Sequence, residues 1–355
     1  MRVTIEDVAR EAGVSIATVS RFMNGRPGAM SEATRERLHS VIERLGYVPN
    51  PAAQTLKTGR SRLVGVVLSN IAHPYWSGVL AGVEDACQRL NYSVVIGSAS
   101  DSAEAEHQYV GLFLKQHVDG LLLNPASADA KMMARWSVLT CPVIMLDRTF
   151  PGLSFPLVAM DNRTASRMAV EHLVELGHRR IGMVSWRIDS LSNRHERLTG
   201  YQEALGDTGI EPAPDLVRFA RESWDDGVRE TLALFGRADR PTAVFSATGA
   251  LNLQVLAALK QLGLRVPDDV SVVGYDDSPW DPLLDPPLTT VSSSSRQLGA
   301  TAAELLCAAI EDRASAVPLE TRLPPRLTLR GSTSPPSPQH DVVAQRFHAR
   351  DGVTA

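Results

Sequence analysis

Cysteine is scarce in this chain of 355 residues: Cys87, Cys141 and Cys307 are the only three, set far apart, and they make neither a disulfide framework nor a zinc-ligand spacing. Long apolar runs are missing as well. No stretch approaches roughly eighteen consecutive apolar residues, and the N-terminus enters a capped amphipathic helix instead of a charged and then apolar leader. The expectation is a protein of a reducing cytoplasm that neither spans a membrane nor is exported. Catalytic signatures are also absent: there is no G-x-x-x-x-G-K-S/T loop, no G-x-G-x-x-G behind a strand, no G-x-S-x-G elbow and no H-E-x-x-H. Asp276 and Asp277 are adjacent, but neighbours at a strand end usually point apart. These absences argue against an enzyme and call for no cofactor and no metal.

What is present begins with 44% hydrophobic residues, enough for a well-buried core and, at this length, two or three folding units. Net charge is −4, yet residues 1 to 62 hold ten Lys and Arg against six Asp and Glu, a local balance of +4 that leaves −8 for the rest. A basic N-terminal module on an acidic body suits a small part that sits on phosphates and a larger part that does not.

Thr4 to Asn24 reads as two short helices joined by a tight turn. Ile5, Val8, Ala9 and Ala12 form one apolar stripe, and Thr4 with Asp7 supplies the N-terminal cap. Gly13 permits the left-handed residue that ends a helix, and Ser15 opens the next after a single Val14. So short a turn sets the helices at a steep angle, as in a helix-turn-helix. Val19 and Phe22 then face inward, leaving Ile16, Ala17, Ser20 and Arg21 outward, where base edges of a major groove are reached. After a Gly and Pro loop, Ser31 opens a third helix with Leu38, Val41, Ile42 and Leu45 inward, and Gly46 ends it. Residues 1–47 are thus a headpiece too small to be very stable alone.

Residues 48–62 carry two prolines and little apolar surface, the makings of a hinge that orders only when DNA or a second subunit supplies contacts. From Leu63 the texture changes. LVGVVLS, SVVIGSA, DGLLLNP, PVIMLDR, RIGMVS, AVFSAT and SVVGYDD alternate with helix-length segments such as Tyr75 to Leu90, Ala103 to Gln116, Thr164 to Leu176 and Leu251 to Leu262. This alternation predicts parallel sheets covered by helices, in two lobes divided near residue 162, with ligand-facing strand ends between them. Residues 332–355 are rich in Pro and Ser at first and weakly apolar later, which predicts disorder; the lack of leucine heptads argues against a coiled coil joining two dimers.

The strings VTIEDVAREAGVSIATVSRFMNG, SEATRERLHSVIERLGYVPNPAAQTLK, LGHRRIG, PTAVF, GLRVPDDVSVVGYDD and PPLTTV resemble the lac repressor family of bacterial transcription regulators, colinearly to about residue 331. The resemblance implies an all-α helix-turn-helix headpiece with a hinge helix, and an α/β two-lobed core over residues 63–331 similar to periplasmic sugar-binding proteins. It also implies a homodimer, a semi-palindromic double-stranded DNA operator and a small-molecule effector, a sugar or sugar derivative, between the lobes.

Residue by residue, the resemblance gives Ile16, Ala17 and Arg21 base-reading positions. Arg21 could fork onto guanine, while Ile16 and Ala17 could only touch thymine methyls or exclude water. Thr4, Ser15, Thr18, Ser20 and Asn24 match phosphate contacts and helix caps, with cap and contact compatible for Thr4 and Ser15. Leu56 matches a minor-groove wedge, with Lys57 beside it. In the core, Trp76, Arg197 and Asp276 match the effector cleft, and Asp147 with Arg148 beside it lies at a strand end facing it; there bidentate bonds fix hydroxyls and an aromatic covers an apolar ring face. Trp76 as ordinary core, or Asp147 paired with Arg148, are the structural alternatives. The chain departs from the pattern at Gly249, where many relatives carry Asn or Asp, and at Glu222, where they carry a bulky aromatic; Trp224 is two places off. A cytoplasmic sugar-binding or sugar-processing protein of the same core fold is the rival reading.

Overall fold

The computed structural model describes residues 3–23, 30–48, 55, 59–126, 136, 139–150, 154–188, 191–312 and 317–337, and its contacts divide the chain into two units, Met1–Ser61 and Arg62–Ala355. In the first unit α1 (Ile5–Ala12) starts from a reciprocal cap, in which the Thr4 hydroxyl accepts the Asp7 N–H while the Asp7 carboxylate accepts the Thr4 N–H at 3.0 Å. Gly13 at φ 64° ends it, and the Val14 N–H returns to the Ala9 carbonyl at 3.0 Å. The chain reverses at once into α2 (Ile16–Met23), with the Ser15 hydroxyl accepting the Thr18 N–H at 3.2 Å. Ser31 caps α3 (Glu32–Leu45), which Gly46 closes at φ 59°. Val8, Ala9, Ala12, Val19, Leu38 and Val41 are the buried centre shared by all three helices. Each larger aliphatic among them contributes on the order of 2 kcal/mol of burial.

Among its described residues the second unit holds two six-stranded sheets. In chain order the strands are β1 (Leu63–Leu68), β2 (Ser93–Ser98), β3 (Gly120–Leu123), β4 (Val143–Leu146), β5 (Leu157–Met160), β6 (Ile181–Trp186), β7 (Val217–Ala220), β8 (Ala243–Ser246), β9 (Ser271–Tyr275), β10 (Thr289–Ser292), β11 (Glu320–Leu323) and β12 (Arg326–Thr328). The first sheet runs β11-β5-β4-β3-β1-β2 and the second β12-β10-β9-β8-β6-β7. All pairings are parallel except β10 with β12. Central strands such as β3, β4 and β8 are buried along their whole length, as sheets covered on both faces require.

Helices α4 (Pro74–Arg89), α5 (Ala103–Lys115), α6 (Asn162–Glu175), α7 (Ser192–Asp207), α8 (Trp224–Phe235), α9 (Gly249–Gln261) and α10 (Ser295–Ile310) cover the sheets. Among the described residues, no helix is long and apolar enough to cross a membrane.

Two expectations need correction. The lobes do not divide once near residue 162: after β10 the chain returns to the first lobe, where Leu298, Ala302 and Leu306 of α10 join Val79, Val83 and Ala86 of α4 in one buried cluster, and β11 pairs with β5. The apolar stripe of α10 finds its partner there. Nor does order stop at residue 331. Ser332 is fully buried, its hydroxyl donating to the Val272 carbonyl at 2.6 Å and accepting the Thr289 N–H at 2.8 Å, and Ser334 bonds to Ser271. Polar composition signals disorder only when nothing satisfies the polar groups, and here β9 and β10 satisfy them. Residues 338–355 lie outside the described set.

Candidate functional site

On the headpiece, Thr4, Ser15, Ile16, Ala17 and Arg21 are exposed and Thr18 and Ser20 half-buried. Ile16 leaves 47% of its surface in water, although the centre of the same small unit would gain from an aliphatic. The Ser15 and Thr18 hydroxyls share a hydrogen bond at 2.9 Å. Among the described residues Arg21 makes a long 3.4 Å bond from Nε to the Ala17 carbonyl. Asn24, Leu56 and Lys57 lie outside the described residues.

The five core positions expected at the cleft, Trp76, Asp147, Arg148, Arg197 and Asp276, all line one cleft between the lobes. It sits at the carboxyl ends of strands from both sheets, where the open ends of parallel α/β sheets place ligands. Asp147 follows β4 and Asp276 follows β9, and both adopt the left-handed conformation, at φ 65° and φ 61°. Aspartate tolerates that region better than most residues, and the bend turns each carboxylate off its strand. Asp147 accepts from Asn193 Nδ2 at 2.7 Å and the Thr149 N–H donates to Ser192 at 3.0 Å, two bonds that join the lobes. Asp277 turns the other way, accepting from Thr290 and pairing with Arg330.

Arg197 is buried and tightly held. Its Nε donates to Asn162 Oδ1 at 2.9 Å, its Nη1 donates to the Ala247 carbonyl at 2.9 Å and to Thr248 Oγ1 at 3.0 Å, and its guanidinium lies 3.9 Å from the centre of the Tyr275 ring. Burial alone would lower its pKa; Tyr275, Asp147 and Asp276 outweigh that and raise it. Arg148 differs. Burial and the nearby Arg194 charge lower its pKa, and among the described residues its side chain makes a long 3.4 Å contact with Asn124 while its Nε has no partner. Trp76 is mostly core at 5% exposed, standing edge-on to Tyr75 at 5.4 Å while still reaching the cavity.

Burial lifts the Asp276 carboxyl to about 6, with Arg197 and the Gly249 N–H pulling the other way. A carboxyl raised on folding adds stability below its unfolded value near 4, and that increment is lost as pH rises through 6. Unfolding midpoints of the wild type and Asp276→Asn, compared from pH 4 to 7.5, should show the wild type losing about 2 kcal/mol against the variant across that window, since one unit is worth about 1.4 kcal/mol at full burial and the cleft admits some water. A constant difference would show that Asp276 is ionised throughout. Glu106 (about 7) and Asp281 (about 6) titrate in the same range; the comparison cancels Glu106, and Asp281, whose charge acts on Asp276, is removed by repeating it in an Asp281→Asn background.

A family model described as bacterial regulatory proteins, lacI family, matches residues 4–50, and one described as a periplasmic binding protein-like domain matches residues 170–333. The HTH-type transcriptional regulator CelR of Thermobifida fusca is 37% identical over 336 residues, 92% of this chain and 96% of its own. The chain belongs to the lacI family. A lac repressor dimer solved with operator and the anti-inducer ONPF is 31% identical with a TM-score of 0.83, covering 94% of this chain and 100% of that one. A CelR–cellobiose complex is 35% identical with a TM-score of 0.70, covering 93% and 100%. The helical headpiece and the two-lobed parallel α/β core are therefore the family architecture.

The departures of this lacI-family chain have local causes. At Gly249 an added Cβ would lie 2.7 Å from Asp276 Oδ2, so the glycine lets that carboxylate accept the first N–H of α9. Glu222 lines the cavity and pairs with Arg194, while Trp224 stands beyond it, 52% exposed. Sequence reasoning missed Asn193 and Arg194, although with Arg197 they fall at i, i+1 and i+4 on one face of α7; three polar residues there read as a solvated face until the opposing lobe is in place. It also missed Trp186, Asn124 and Tyr275, each at a strand end.

Proposed function

We propose that this chain is a transcriptional repressor, not an enzyme, working in the bacterial cytoplasm on the nucleoid as a homodimer whose affinity for a semi-palindromic operator is governed by a sugar bound in the core cleft. The observation that carries this reading is the outward presentation of Ile16, Ala17 and Arg21 on one face of α2, in a unit that would bury Ile16 if folding were its only task. Arg21 reads a guanine, Ile16 and Ala17 read by shape, and Thr4, Ser15, Thr18, Ser20 and Asn24 fix the headpiece on phosphates. Leu56 enters the minor groove from the hinge, with Lys57 on the backbone.

In the cleft, carboxylates of Asp147 and Asp276 and guanidiniums of Arg148 and Arg197 beside Trp76 suit a polyol with one apolar face. The Asn193–Asp147 and Ser192–Thr149 bonds between lobes support control by closure, since a ligand shifts an equilibrium only by binding one state better. The operator of the lac repressor structure and the cellobiose of the CelR complex set the classes of ligand to try first.

The test starts from a duplex site selected out of a random pool. Its affinity should fall steeply with salt, by about 0.9 log units per log unit of salt for each phosphate contacted, and Arg21→Ala should cost about 1 to 3 kcal/mol with relaxed choice at one base pair. A flat salt dependence would sink the DNA reading.

A further inference from the structure

Glu106, in the first turn of α5, is 1% exposed. Its Oε1 accepts the Ala126 N–H at 3.0 Å, while its Oε2 is buried with no partner among the described residues. An acceptor left unmet in that way is costly. β1 and β2, on which α5 packs, carry no titratable side chain. On α5 itself Glu104 and His107 do not share the face of Glu106, and Tyr109 lies over Gly97. The charge that reaches Glu106 is Arg148, whose own Nε is buried and unpartnered among the described residues. A second route runs through the backbone. Ala126 follows closely on Asn124, which is fully buried, accepts from the Ser69 hydroxyl at 2.7 Å and from Arg148 Nη2 at 3.4 Å, and donates to the Leu146 carbonyl at 2.9 Å. Glu106 therefore acts on one wall of the cleft by a pin and by a charge. From the other wall Arg194 of α7 comes close enough to lower the pKa of Arg148.

We propose that Glu106 is a positioning residue for effector binding: its negative charge, set behind Arg148, offsets the repulsion between Arg148 and Arg194 when the lobes close on a ligand. This rests on the reading of the cleft as an effector site and adds a residue outside the cleft that tunes its closure. Two like charges brought face to face in a partly desolvated cleft oppose closure, and a carboxylate behind one of them reduces that cost. Burial raises the Glu106 carboxyl to about 7, with the Ala126 N–H and the Arg148 charge pulling the other way, so the offsetting charge comes and goes near neutral pH. A protonated carboxyl still has an oxygen to accept the Ala126 N–H. The segment after β3 then keeps its place and only the charge is lost. Closure favours the ionised form, so effector affinity rises as pH rises through about 7. Asp276 titrates near 6, and burial holds His73 below its usual value, so neither supplies a midpoint near 7.

Calorimetric titration of the full chain with glucose, galactose, ribose, cellobiose, maltose and lactose tests this. A sugar that binds the wild type should bind about threefold more tightly at pH 8.5 than at pH 6.5. Glu106→Gln, which keeps an acceptor for Ala126 and removes the charge, should bind at the weaker level throughout. Glu106→Ala, which also drops the Ala126 bond, should be weaker still and equally flat. A wild-type pH profile retained in Glu106→Gln overturns the proposal. Without any ligand, a double-mutant cycle of Glu106→Gln and Arg148→Met on denaturant unfolding of the core should show a coupling of about tenfold in the unfolding constant at pH 8, largely lost at pH 6. No coupling at pH 8 overturns the proposal as well. Binding of none of the sugars overturns the sugar reading of the cleft, and the cycle then decides the Glu106–Arg148 pair on its own.

Discussion

Arg197→Ala is expected to abolish the effector's control over operator binding and to lower the stability of the two-lobed core by about 3 kcal/mol, the usual cost of removing one member of a buried, hydrogen-bonded charge network. The guanidinium ties α6 through Asn162, the segment after β8 through Ala247 and Thr248, and the Tyr275 ring at 3.9 Å. Alanine leaves the Ala247 carbonyl without that donor. It also removes the cation that opposes the burial of Asp276, so that carboxyl moves further above about 6. The cleft thus loses one charge directly and a second by protonation. Arg197→Lys separates the two roles: a lysine keeps the charge but lacks the fork needed for three acceptors, so stability should recover in part while the effector response stays lost. Denaturant unfolding read beside effector titrations of the operator complex makes the comparison. A full effector response in Arg197→Ala would move the site elsewhere.

Local patterns carried most of the fold. Helices announced by a stripe and a cap stand within two residues of where they were expected, Tyr75 to Leu90 appearing as Pro74–Arg89 and Leu251 to Leu262 as Gly249–Gln261, because side-chain period and capping are set by residues three or four apart. Leu157–Met160, Val217–Ala220, Thr289–Ser292, Glu320–Leu323 and Arg326–Thr328 were not among the expected strands. All are only three or four residues long, too short for a side-chain period to show, and Val217–Ala220, Glu320–Leu323 and Arg326–Thr328 lie at sheet edges, where a neighbouring ladder makes the strand. The return of α10 to the first lobe was hidden for a similar reason, since a helical stripe does not say which surface it will meet. At the cleft, Asp147 was readable because it ends a recognisable strand, and Asp276 because GYDD matches the family's pattern. Asn193, Arg194 and Trp186 were not, as their importance depends on the facing lobe.

Leu38→Ala should cost the headpiece its fold, and the operator binding proposed for it should fall by at least about a hundredfold. Leu38 is fully buried where α1, α2 and α3 meet, with Val8, Ala12 and Val19 among its cluster. Truncating such a leucine costs about 3 kcal/mol, the lost transfer energy plus the cavity left behind. A unit of this size has only about 3 to 5 kcal/mol to lose. Six buried residues, two of them alanines, leave little to collapse into the gap. Once the helices part, Ile16, Ala17 and Arg21 no longer share a face, so base reading goes with the fold and not with any removed contact. Because Arg62–Ala355 is a separate unit, its unfolding transition and its effector affinity should stay within twofold of wild type. Leu38→Met, of similar volume, should restore operator binding. Operator affinity of Leu38→Ala within threefold of wild type would mean that DNA is read by a part of the chain other than this three-helix unit.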